Sequence, residues 1–530
     1  MNIISSFFYR KRLRWVREEW GQGRKGKRDF KSIGSLFESL IKHNDKNSFY
    51  IDDQSWEDLN MDQLYSKLDR TFSFCGKQGL YNILRTPFLE EEGLKKRDKI
   101  IDFFKENTEK RERVLIELTK LDIRDTGVVE LFFSELEENK WLKILYSVLA
   151  VIPLTLGILI YIYGIKSKFI SYLVCSLIIN SVIHYKSEGK LNYKINAMST
   201  VSRIIKVAKN ISKLNVYEIE EYNKKLEDYT QKCSRISKNS SSLGQIEGLD
   251  SIMEYFNIAF LVKERAYFSV ANEINNHKDE LKEIYILLGE LEALISVASF
   301  REQYGEKLIK PILSNKGKFI KAKNITHPII DEPVANSIHM VDRGIILTGS
   351  NMSGKSTFLR TIGVNALLAQ TIYNCSAESY EGSYFKIITS ISPEDNLVSG
   401  KSYYFGEVES LLRIIKSEEE NTPTLSLIDE IFRGTNPVER VSAATEILKY
   451  LNEHNTLVAV ATHDLELTKL LKDKYDCYYF REEVKDDKLI FDYLIKEGVS
   501  PTRNAIRILS MMGYPQEIVD NAECRISSCE

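Results

Sequence analysis

Cysteine is scarce and scattered. The 530 residues hold seven (Cys75, Cys175, Cys233, Cys375, Cys477, Cys524 and Cys529), with no CxxC pair and no histidine at zinc-like spacing. This pattern excludes a disulfide framework and a zinc site, and it fits reduced thiols in a cytosolic setting. Net charge is nearly absent as well, at −2, so nothing in the whole chain points to nucleic acid or to an acidic substrate. Any electrostatic partner has to be argued locally. A secretory signal is also missing, because the apolar run Ile3 to Phe8 is short and precedes the basic cluster instead of following it. The sequence shows no internal repeat and no low-complexity tract.

What is present begins with length. A chain of this size exceeds what one hydrophobic core serves, so two or three cooperating modules are expected. Between Met1 and Lys31, ten Lys or Arg residues face only Glu18, Glu19 and Asp29, and this segment should seek an anionic surface, either nucleic-acid phosphate or anionic lipid. Leu142 to Ile165 carries one charge, Lys143, and Phe169 to Tyr185 carries none. As a helix, Ile144 to Ile165 extends roughly 33 Å, enough for a ~30 Å hydrocarbon core, while the second stretch reaches roughly 26 Å. Trp141, Tyr161, Tyr163, Tyr172 and Tyr185 fall near the expected interfaces. The pair reads as a transmembrane hairpin over 141–186, with a hairpin buried in a soluble core as the alternative and Asn180 as the one strongly polar residue of the spans. Both termini of such a two-span cell-membrane protein are expected on the cytoplasmic side.

On both sides of the hairpin the pattern is helical. Met198, Val201, Ile205, Ala208 and Ile211, and again Leu281, Ile284, Leu288, Leu291, Ile295 and Ala298, recur at the spacing that packed helices require, and Lys238 to Gly244 breaks them. Beyond Pro311 short β-rich runs, Gly344 to Thr348, Thr424 to Ile428 and Leu457 to Ala461, alternate with helical segments, which predicts a largely parallel sheet in an α/β domain.

That α/β region carries the chemistry. The run Gly349-Ser350-Asn351-Met352-Ser353-Gly354-Lys355-Ser356 follows a strand and opens a helix, which is the GxxxxGK[ST] pattern in its required context. Glycines let backbone N–H groups wrap phosphate, Lys355 reaches the β/γ oxygens and Ser356 ligates Mg²⁺. A second strand ends in Asp429-Glu430, placing Asp429 to hold the magnesium shell and Glu430 to orient or deprotonate the attacking water. A third ends in Thr462-His463. Alone, His463 would be an ordinary surface histidine; third in this series, it reads as a γ-phosphate sensor at the ligand-binding rim of an open α/β sheet.

Taken together these stretches resemble the MutS family of mismatch-repair ATPases. Asn351-Met352 with Lys355-Ser356-Thr357 is similar to that family's TGPNMGGKST, Asp429 to Thr435 to its DEIGRGT, and Ala461 to Leu467 to its ATHYFEL. Asp395 to Glu407 resembles the loop that in such dimers reaches the partner's γ-phosphate, which makes Ser402 the trans contact. Tyr493 corresponds to the aromatic or imidazole side chain that holds adenine. Phe432 stands where the family has glycine and should not take the positive φ that glycine takes cheaply. Upstream, Leu64 to Pro87 looks like the opening of the MutS core and Ile325 to Pro328 like the stretch that introduces its ATPase.

The resemblance implies a multidomain α plus α/β protein. Its expected parts are a basic segment (1–45), a helical MutS-like core (46–140), the transmembrane hairpin (141–186), a second core and lever part (187–318), and an ABC-like P-loop ATPase domain (319–530). It implies ATP and Mg²⁺ as cofactors, a homodimer, DNA as a partner and a lipid bilayer around 142–185. The roughly 50 residues before the core leave no room for the family's mismatch-reading domain, so recognition of mismatches by that route is not expected. The implied function is a membrane-anchored ATPase coupling ATP binding and hydrolysis in a dimer to conformational change on DNA. The alternative is an ATP-dependent membrane switch or scaffold acting on protein partners; a transporter is a distant third, since neither span reads as carrying an ionisable residue.

Overall fold

The structure is a computed structural model and describes residues 3–24, 26–43, 49–137, 139–214, 216–236, 251–350, 353–391, 403–417, 421–432, 435–485, 488–500, 509 and 512–529. It is mostly helical with mixed α/β sheets, and it divides into two compact units. The first comprises 1–46, 68–82 and 99–303; the second comprises 47–67, 83–98 and 304–530. The helical stretch 46–140, expected as one piece of a core, is thus shared between the two.

The first unit is all helix. Its spine is Lys278–Tyr304, where Leu281, Ile284, Leu288, Leu291, Ile295 and Ala298 are all buried, as their spacing requires. Gly289 lets this helix touch Phe74–Arg85 backbone to backbone: a Cβ on Gly79 would lie 2.3 Å from the Gly289 carbonyl. The basic N-terminal segment forms helix Ile3–Glu19 and the turn after it. Part of its charge is spent internally, since Arg17 pairs with Glu112 at 2.7 Å and Arg28 with the buried Asp69 at 3.0 Å, while Arg10 and Lys11 remain exposed.

The two apolar stretches are helices Lys140–Tyr163 and Ser167–Ser212, turned by Gly164 at φ 78. Asn139 caps the first, accepting from Trp141 and Leu142 N–H. Both are long and apolar enough to cross a membrane, yet only 11% and 17% of their most apolar windows are buried. Ile144, Val148, Val151, Leu154 and Ile158 are each about half exposed or more. A hairpin hidden in a soluble core would bury these side chains, so that alternative loses its support within this chain.

The second unit is built on strands β1 (Ile312–Ser314), β2 (Phe319–Ile325), β3 (Asn336–Val341), β4 (Gly344–Thr348), β5 (Ser379–Ser383), β6 (Lys386–Ser390), β7 (Thr424–Asp429), β8 (Thr456–Ala461), β9 (Tyr475–Tyr479), β10 (Glu482–Lys485), β11 (Lys488–Phe491) and β12 (Lys496–Glu497). The main sheet has the order β12-β9-β4-β8-β7-β6 and is parallel apart from the β12 edge. Strands β4, β7 and β8 are buried at every residue, which explains their mostly apolar character, because a parallel sheet is covered on both faces. A smaller sheet, β1-β5-β2-β3, flanks it, and β10-β11 form a ribbon.

Residues 51–59 belong to this unit because they finish the end of β6. The Ser55 hydroxyl accepts from Thr389 N–H at 3.1 Å, and Asp58 Oδ2 accepts from Ile391 N–H at 2.9 Å and from the Thr389 hydroxyl at 2.6 Å. Asp58→Ala strands these buried donors and is expected to cost about 2–3 kcal/mol. Thermal unfolding of the variant beside wild type reads this directly, and an unchanged midpoint would contradict the role.

Candidate functional site

The site grows from the C-terminal ends of three neighbouring parallel strands. After β4, Gly349 (φ 138) turns the chain so tightly that a Cβ there would lie 2.4 Å from the Phe480 carbonyl oxygen. Gly354 (φ 111) then caps helix Lys355–Thr371. Both positions demand glycine, for positive φ and for close approach. The Ser353 hydroxyl donates to Ser350 O at 2.8 Å, and Ser350 Oγ donates to Glu482 Oε2 at 2.6 Å, so the two serines brace the loop. Lys355 is 5% exposed, with Nζ donating to Gly349 O and Ser350 O, each at 2.8 Å. Its ammonium is therefore aimed into the concavity of the loop.

From β7, the buried Asp429 accepts a hydrogen bond from Ser356 Oγ. From β8, Ala461 O accepts from Glu430 N–H at 2.8 Å, and His463 follows two residues later with Nε2 at 3.1 Å from Glu430 Oε1 and 3.4 Å from Lys355 Nζ. Lys355, Ser356, Asp429, Glu430 and His463, spread over more than a hundred positions of sequence, thus share one rim. Arg440 holds the next residue, Asp464, in a two-pronged pair at 2.8 and 2.6 Å, which fixes the turn that follows His463.

Phe432 does take the positive φ that its side chain was expected to avoid: φ is 59, and Glu430 is at φ 64. The strain, of order 1 kcal/mol per residue, is held by packing. The Phe432 ring is 6% exposed in the cluster with Leu411 and Ile414, and it meets Tyr404 at 5.5 Å between centroids.

A cleft of about 880 Å³ opens over this rim. Ser350, Ser353, Gly354, Lys355, Ser356 and Thr357 form its floor, Asp429 and Glu430 one wall, and Phe480 and Tyr493 another. Tyr493 is positioned by Asn336, whose side-chain amide donates to Tyr493 O at 3.0 Å and accepts from Ile495 N–H at 2.8 Å. The Tyr493 ring lies 3.4 Å from where a Gly354 Cβ would stand. Asn351, Met352 and Ser402, together with Arg433 and Gly434, lie outside the described residues.

Residues not assigned from sequence also line the cleft: His327, Pro333, Val334, Asn336, Arg360 and Phe480. His327 had a signal, the Thr-His-Pro stretch, but no chemistry attached. Burial first, then the positive charges of Arg360 and Lys67, push its imidazole down to about 4, so it stays neutral at physiological pH. The donor set fits a magnesium-bound nucleoside triphosphate: a hydroxyl beside a carboxylate for the ion, an ammonium at a glycine-bounded loop for phosphate, and the Phe480 and Tyr493 rings for a base.

The sequence profile of MutS domain V matches residues 345–530, which contain the whole strand-end rim. The DNA mismatch repair protein MutS of a Thermus thermophilus strain is 28% identical over 282 residues, 52% of this chain and 34% of that protein. Those of Petrotoga mobilis and Thermotoga maritima are 30% and 31% identical, over 56% and 49% of this chain and 37% and 33% of their own lengths. The chain therefore spans about a third of the length of these curated relatives. The domain V match thus covers the rim, and over about half of its sequence the chain is similar to DNA mismatch repair proteins MutS.

Proposed function

We propose that the chain is a membrane-anchored ATPase that works as a homodimer and couples nucleotide turnover to movement of its helical unit on DNA. The observation that carries the ATPase reading is the convergence of Lys355, Ser356, Asp429, Glu430 and His463 at the ends of β4, β7 and β8. Lys355 and the backbone donors of the loop bind the β and γ phosphates, and Tyr493 packs on the base. Ser356 and Asp429 would hold Mg²⁺, which supplies charge neutralisation at the transferring phosphoryl group. Glu430 orients the attacking water and accepts its proton, and His463, in contact with both Glu430 and Lys355, senses the γ-phosphate. Ser402 of a second copy completes the site in trans. The exposed apolar helices Lys140–Tyr163 and Ser167–Ser212 support a two-span anchor with cytoplasmic termini.

Mixing separates a composite site from a self-sufficient one. Ser402→Ala and Lys355→Ala are each expected to abolish turnover, and their mixture to recover activity that neither parent has, because each mixed dimer retains one intact site. No recovery would argue against the trans contact. DNA binding is read separately, by retention on duplex and branched DNA that weakens steeply as salt rises. Absence of retention at low salt removes DNA and leaves a membrane switch acting on proteins.

A further inference from the structure

Within the apolar part of helix Ser167–Ser212, the residues Ser176, Asn180, His184 and Ser187 recur at helical spacing and form a polar line along one face. His184 belongs to a stretch that reads as charge-free in the sequence, yet it is only 3% exposed, with Asn180 fully buried and Ser176 6% exposed. The line faces a broken helix. Segments Ser251–Phe260 and Val262–Asn276 meet at Leu261, whose left-handed backbone (φ 48, ψ 43) interrupts the ladder and frees carbonyls at the end of the first segment.

Two rungs join these elements. Asn180 Nδ2 donates to Ala259 O at 2.7 Å, and also to Leu149 O of Lys140–Tyr163 at 3.3 Å. One turn further on, His184 Nδ1 lies 2.9 Å from Glu264 Oε1, which also accepts from Ser187 Oγ at 3.0 Å. Glu264 is 2% exposed, so its carboxyl group meets the protein through these two side chains and not through solvent. Three buried oxygens in this seam have no hydrogen-bond partner among the described residues: Ser176 Oγ, Asn180 Oδ1 and Glu264 Oε2. Native interiors rarely leave such atoms unanswered, and here all three can accept. A discontinuous helix beside a buried carboxyl group with an unanswered oxygen is a recurrent way of holding a small cation in an apolar bundle.

We propose that this seam binds a monovalent alkali cation, through Asn180 Oδ1, Glu264 Oε2 and a carbonyl at the Leu261 break. One carboxylate is too little charge for calcium, which recruits several acidic oxygens. No cluster of three His, Cys, Asp or Glu side chains exists among the described residues to suit a transition metal. The site is independent of the nucleotide reading, so its failure leaves that reading untouched.

The test uses the full chain in detergent, unfolded by heat in sodium, potassium or choline chloride at equal ionic strength and pH. Sodium or potassium is expected to raise the midpoint over choline by roughly 1–3 °C at ten times its dissociation constant. The gain should disappear in Glu264→Gln and in Asn180→Leu. Equilibrium dialysis of the unmutated protein with radioactive sodium, displaced by excess sodium or potassium chloride but not by choline chloride, needs no variant and should give one site per chain. Equal midpoints in the three salts, a cation effect unchanged in the variants, or no retained sodium would overturn the proposal.

Discussion

Glu430→Gln is expected to bind ATP like the wild type and to turn it over at least about a hundred-fold more slowly, the usual size of a lost general base. The amide keeps the size of the carboxylate and its neighbourhood with His463, and it leaves Lys355, Ser356 and Asp429 in place, so the triphosphate still has its cradle. What disappears is the group that accepts the proton of the attacking water. Lys355→Ala should behave in the opposite way, losing affinity for the nucleotide first, because the buried ammonium is the positive charge aimed into the loop. A single-turnover assay at saturating nucleotide, run beside a direct binding titration, distinguishes the two. Full turnover in the Glu430 variant would remove that carboxylate from the chemistry.

The second large effect concerns stability. Glu292 is 1% exposed at the centre of the first unit, accepting from Ser73 N–H at 3.0 Å, from Phe72 N–H and from the Ser73 hydroxyl. Its carboxylate presses on Gly76, where a Cβ would lie 2.3 Å from Oε2. Burial pushes its ionisation up to about 7, against the hydrogen bonds that favour the charged form. The folded protein therefore holds this proton through a range in which the unfolded chain has released it. The stabilisation is complete below the ordinary carboxylate range near 4.5, declines as pH rises, and is gone above about 7. Its size is about 3 kcal/mol. Glu292→Gln, which stays neutral, should flatten the dependence across that window and leave the first unit more stable than wild type at pH 8. Thermal unfolding at a series of pH values reads both, and parallel curves for the two proteins would contradict the assignment.

The candidate site was legible because its parts are local. Gly349 to Ser356, Asp429-Glu430 and Thr462-His463 each sit at the end of an apolar run, and a parallel sheet brings strand ends to one edge whatever lies between them. Phe432 shows where local reasoning stops. Its side chain disfavours the left-handed backbone, yet the ring's burial against Tyr404, Leu411 and Ile414 outweighs a cost of order 1 kcal/mol, because tertiary packing overrides a modest intrinsic preference. Ser402, which rested on the resemblance, lies outside the described residues.

By itself the sequence determined the helical and α/β halves, the two apolar helices and the residues that meet at the rim, since periodicity and short motifs are properties of neighbouring residues. Only the tertiary structure decided that Ser55 and Asp58 finish a strand more than three hundred positions away, that Asn336 sets Tyr493, and that His184 meets Glu264. Periodicity marks which face of a helix is buried but not against what, and a buried polar group is satisfied by whichever partner the fold brings within hydrogen-bond reach.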